Sequence, residues 1–223
     1  MKQYFVAATI VAGLVFAVSC GGADKSATEP PNPPADTADA ALSAPDTVEI
    51  KIAKMIGDSV FADGNTADGG QGETIHGLQC GAMAGETYHI HIQLSLYVNG
   101  VQLAIPKAIG VKKPLSINGF VYNADKDNGG CYYWVHTHDA SGIIHVEPPM
   151  EVQVTLGQLF DLWGMPLSST GAAGYHGTVT TFLDGKKYDG DPREIVFQRH
   201  QQIALEVGTP IVTPDYYIFP APY

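Results

Sequence analysis

Glu86-Thr-Tyr-His89-Ile-His91-Ile-Gln93-Leu-Ser95-Leu96 is the stretch that decides the fold. Polar and apolar residues alternate strictly along it. His89, His91, Gln93 and Ser95 fall on one face, and Ile90, Ile92, Leu94 and Leu96 on the other. A period of two belongs to a strand with one side on a core. Asn99-Gly100 follows, a dipeptide suited to the two left-handed positions of a type I′ hairpin turn, and Val101 to Ile105 is the return strand, stopped by Pro106. The histidine face is therefore the polar face of a hairpin whose other side is core.

Downstream lies a second histidine-rich stretch, Cys131-Tyr-Tyr-Trp-Val-His136-Thr-His138-Asp139-Ala-Ser-Gly142-Ile-Ile-His145-Val-Glu147. In a regular strand Tyr132, Trp134, His136 and His138 share one side, with Tyr133, Val135 and Thr137 on the other. Asp139 to Gly142 makes a turn, and Ile143 to Val146 runs back with His145 on the same side as Ile143 and Glu147. Two histidines two apart on one strand face place their Cβ atoms roughly 6.5–7 Å apart, within reach of one ion. The fold is expected to bring the two His-x-His strands together. The candidate metal ligands are His89, His91, His136, His138, His145 and Asp139, with Asp139 alternatively accepting a hydrogen bond from an imidazole N–H. Imidazoles without methionine or thiolate disfavour copper(I) and suit copper(II) or zinc. Four histidines on one ion make a closed, structural or carrier site. Three with an open position make a metal-dependent hydrolase or oxidase, with Glu147 or Asp139 as base. The alternative without a metal is a non-enzymatic binding or interaction domain whose histidines form a hydrogen-bonded polar patch.

The rest of the chain sets the context. Eight histidines stand in a chain with 12 Lys and Arg against 23 Asp and Glu, for a formal net charge of -11. That balance argues against nucleic acid and against an anionic membrane surface as partners. Short alternating runs with many glycines and prolines give a mostly β class, a β-sandwich or small β-barrel built from hairpins. Thr47 to Ala53 reads as a first strand, with Val48, Ile50 and Ile52 on one face. Glu151 to Leu156 alternates again as a strand would; Leu156 to Trp163 then breaks the strand pattern and sets Leu159, Phe160, Leu162 and Trp163 as one short helix near 157–163, with Gly164 as its cap. Leu167 to His176 reads as a loop suited to cover a site. Asp184-Gly185 mirrors Asn99-Gly100, so the single domain over 47–223 has a division into hairpin-based halves, 47–150 and 151–223. Tyr216 to Tyr223 is an aromatic tail that should lie on the domain.

Residues 1–19 combine Lys2, an apolar run from Tyr4 to Val18 and the ending Ala17-Val18-Ser19-Cys20-Gly21. A charged start, a short apolar stretch and small residues make a cleavable export signal, too short for a membrane span. It resembles the bacterial lipoprotein signal, in which the cysteine after the cut is acylated, although Ala17 stands where that signal usually has leucine. The resemblance implies attachment to the membrane through lipid on Cys20 and a place in the cell envelope, on its periplasmic or extracellular face. Residues 20–46, rich in Pro, Ala, Asp and Thr, cannot offset their ordering entropy and read as a disordered tether. Of the three cysteines, Cys80 and Cys131 remain; in an oxidising compartment such a pair is a disulfide. The His-x-His pairs are superficially similar to those of multicopper oxidases, but no His-Cys-His segment accompanies them. The segment His136-Thr-His-Asp-Ala-Ser-Gly-Ile-Ile-His145 resembles one in exported bacterial proteins of unknown activity.

Overall fold

The computed structural model describes residues 43–65, 70–81 and 88–223. The expected signal segment, Cys20, most of the expected tether, and Glu86 and Thr87 of the expected strand lie outside these residues. The alternating stretch forms a nine-residue strand, β1 (Ile90–Val98). Asn99 and Gly100, at φ 49° and 79°, turn it into β2 (Val101–Leu103), as the dipeptide predicts. Five more strands complete a seven-stranded sheet: β3 (Val135–His136), β4 (Ile143–Val146), β5 (Val179–Leu183), β6 (Lys186–Tyr188) and β7 (Gln202–Val207). β7 runs parallel to β1 along one edge. β4 and β2 run antiparallel along the other, against residues 90–93 and 96–98 respectively. The order β6-β5-β7-β1-β4-β3 leaves two ends, so the sheet is open and no barrel closes.

Both faces of β1 are buried. The apolar face carries Ile90, Ile92, Leu94, Leu96 and Val98 into a core completed by the helix α1 (Leu156–Trp163). Thr155 caps α1 and forms a reciprocal capping box with Gln158, while Gly164 ends it in the left-handed conformation. Leu156, Leu159, Phe160, Leu162 and Trp163 are its buried side chains. A smaller layer covers the opposite face. Thr47–Glu49 pairs in parallel with Tyr216–Ile218, and the side chain of Gln202 grips the backbone of Tyr217 through both its amide oxygen (2.8 Å) and nitrogen (2.9 Å). Among the described residues the fold is a mostly β sandwich with one short α-helix. The aromatic tail does lie on the domain, with Tyr217 buried.

Four expectations meet a different outcome. The first strand stops at Glu49, because the chain turns over Lys51–Lys54 with Ala53 at φ 64°, which leaves Ile52 48% exposed. The Glu151–Leu156 alternation forms no strand; it contributes a single bridge, Thr155 to Val196. Leu167–His176 forms three short paired strands, and Leu167, Ala172, Ala173 and Tyr175 plug the core, so the segment covers no site. Finally, the Cys131 strand is not regular. It breaks at Trp134, where Cys131–Tyr133 leaves a small sheet with Cys80–Gly81 and Val111–Lys112 and the chain passes into β3. Cys80 and Cys131 are disulfide-bonded there, with Cα atoms 5.6 Å apart and a separation of 51 positions in sequence.

Candidate metal centre

β4 lies between the two strands that carry the His-x-His pairs. Its register sets His145 opposite His91 on one side and opposite His136 on the other. Directly opposed residues of antiparallel strands point to the same face, so the three imidazoles form one row across the sheet. The Asp139–Gly142 turn fixes that register. Asp139 Oδ1 accepts from Ser141 N (2.9 Å) and Ser141 Oγ (2.5 Å), and Oδ2 accepts from Ala53 N (2.5 Å). Gly142, at φ 85°, then passes so close to β1 that a Cβ there would sit 2.4 Å from Gln93 Nε2 and 2.6 Å from Leu94 O.

On the β3 side the protons can be assigned from the hydrogen bonds. His136 Nδ1 donates to Tyr133 O at 3.0 Å, and His138 Nδ1 donates to Tyr122 O at 2.8 Å. A carbonyl oxygen only accepts, so in each neutral ring the proton resides on Nδ1 and the Nε2 lone pair is bare. These two Nε2 atoms face each other at 3.2 Å. Two bare lone pairs at that distance repel unless a proton or a cation lies between them. Zinc–nitrogen bonds of about 2.0–2.1 Å in a tetrahedral site place two nitrogens about 3.3–3.4 Å apart, close to what is seen. Burial opposes the proton: it holds the fully buried His136 well below the usual imidazole range, helped by the neighbouring His138 and His145. His145 is held down in the same way, by burial first and then by His138 and His91. His91 is lowered to about 4, by burial and then by His89. Neutral imidazoles are the form that binds metal.

On the β1 side His91 Nε2 lies 3.1 Å from His145 Nδ1, while His91 Nδ1 is buried without a hydrogen-bond partner among the described residues. Glu147 Oε1 is 2.8 Å from His89 Nε2 and 3.6 Å from His145 Nδ1. The five histidines thus form two groups, His89–His91–His145 and His136–His138–His145, in each of which the ligand atoms lie within 4.8 Å of one another. The sequence points to the two pairs converging directly. Instead β4 separates them, and His145 belongs to both groups. Asp139 lines the same cavity, but its oxygens hold the turn and Ala53. His76 and His200 are elsewhere, paired with Asp161 and stacked on Phe219.

A cavity of about 280 Å³ opens onto the site, and His89, His138, His145, Glu147 and Tyr223 help to line it. The Tyr223 ring centroid is 4.1 Å from that of His91, and the Tyr132 ring is 4.8 Å from that of His136. Pattern reading misses Tyr223 as a wall of the site; its only signal is the aromatic character of the tail. The chain matches no protein-family model, no curated protein and no solved structure, so similarity lends it neither a family nor an activity.

Proposed function

We propose that this is an exported, lipid-tethered protein that binds copper(II) or zinc through the histidines of β1, β3 and β4 and their flanks. The observation that carries the metal reading is the His136–His138 pair. Its Nδ1 protons are committed to backbone carbonyls, and its two bare Nε2 atoms converge at the spacing of two ligands on one ion. Protein purified without an affinity tag should carry stoichiometric copper or zinc by elemental analysis, and a visible absorption band separates copper from colourless zinc. Protein free of copper, zinc, iron and manganese that also takes up none on dialysis would sink the reading. The tether rests on the Ala17–Gly21 signal and the Pro-rich segment behind it. Replacing Cys20 with Ala should move the protein from the membrane fraction to the soluble fraction; unchanged fractionation would refute it.

The cavity favours a second reading of the same site. Each group offers three histidines, and His138, His145 and Glu147 all border a space that admits a small molecule. A catalytic centre needs such an open coordination position, with Glu147 placed to take up a proton. Metal-dependent hydrolysis of a panel of activated esters and phosphates, lost in Glu147→Gln with metal content unchanged, would support this. No metal-dependent turnover of the panel would favour a carrier.

A further inference from the structure

Resting on the metal reading above, we propose that the site is dinuclear: His89, His91 and His145 hold one ion, His136, His138 and His145 hold a second, and the His145 ring bridges them. Three observations lead there. The two ligand groups are complete on their own, and His145 is the residue they share. The register places His145 in the middle of the row, with His91 on one flank and His136 on the other. Its Nδ1 is already spoken for on the β1 side, 3.1 Å from His91 Nε2, which leaves Nε2 to join His136 and His138, the latter with its ring centroid 4.6 Å from that of His145.

An imidazole has two nitrogens, and it serves two ions only after its N–H proton has left. Binding of the second ion therefore releases one proton from His145 to solvent, and the ring becomes an anionic bridge. Local charge suits this arrangement. Glu147, buried, contacts both His89 and His145, and Asp139 borders the same cavity, so two carboxylates and the bridge offset two dications. His136 and His138 are pinned by carbonyls of Tyr133 and Tyr122, whereas His145 Nδ1 faces another candidate ligand, His91 Nε2, and the Glu147 carboxylate.

The test is titration of untagged, metal-free protein with copper(II), measuring bound copper after desalting and integrating the electron paramagnetic resonance signal. The expected result is two coppers per chain, with integrated spin falling well below copper content as the second equivalent binds, because an imidazolate bridge couples the two spins. His91→Ala and His136→Ala should each retain one copper with its full spin. One copper per chain at saturation would overturn the dinuclear proposal and leave the metal reading standing. Two coppers with fully additive spin would overturn the bridge. No bound copper or zinc would remove the parent reading itself. The wild-type spin count decides the matter even if the variants fail to fold.

Discussion

At the scale of single residues, the site depends as much on Gly142 as on any histidine. Its positive φ and its approach to Gln93 and Leu94 O leave no room for a side chain, and its carbonyl accepts from Leu94 N at 2.9 Å. Gly142→Ala combines a left-handed alanine with contacts that cannot relax on the backbone side, and should cost about 2 kcal/mol or more. Urea denaturation measures that loss, and metal content measures how far His145 has moved from the row. A variant of wild-type stability with full metal would show that the turn does not set the register. The His-x-His pairs were legible because a strand has a period of two. The place of His145 was not, since it depends on which strand β4 pairs with on each side. His136 and His138 owe their proton positions to carbonyls of Tyr133 and Tyr122, and backbone carbonyls carry no sequence signature.

At the scale of elements, strands with strong local signals form where they are expected, and weaker runs yield to tertiary contacts. β1 combines alternation with a type I′ turn, and α1 has a capping box at its start and Gly164 at its end. Thr47–Ala53 alternates too, yet Asp139 captures the amide of Ala53 and the chain turns. β7 carries an element-scale consequence for pH. Glu206 on that strand is buried, with Oε2 accepting from Val212 N at 2.8 Å and Oε1 without a partner among the described residues, and burial raises its pKa to about 7. A carboxyl with a raised folded pKa favours the folded state when protonated. Its contribution is fully present below the unfolded value of about 4.3 and is lost as pH rises through about 7. The loss between those limits should be about 3–4 kcal/mol. Comparing chemical denaturation of wild type and Glu206→Gln across pH 4 to 8 isolates it: the variant should lack this slope. Parallel curves would show that folding does not raise the Glu206 pKa.

At the scale of the whole molecule, a covalent tie and a covering layer hold the site strands in place. The Cys80–Cys131 disulfide anchors the small sheet from which the chain enters β3. Closing a loop of 51 residues contributes on the order of 4 kcal/mol in the chain-entropy model. Replacing both cysteines with serine should lower the unfolding free energy by roughly that much, read from the denaturation midpoint, while spectroscopically native protein still binds metal. Loss of metal from a folded double variant would mean that the bridge shapes the site directly. The pairing was readable from the two cysteines left in a chain whose sequence reads as exported, whereas the cover over the polar face of β1 was not. That cover joins Thr47–Glu49 to Tyr216–Ile218 across nearly the whole described chain, and no local pattern encodes such a contact.

That long-range pairing also implies an order of events. All five clustered histidines fall between residues 89 and 145, so their strands can associate while the last segment is still unattached. Contacts between distant parts of a chain are the slow ones to close. By that rule the wall that Tyr223 supplies beside His91 should close after the row of imidazoles has formed. An ion offered during refolding meets a site without that wall, and one offered afterwards has to pass it. Uptake should accordingly be faster into the refolding chain than into the finished protein.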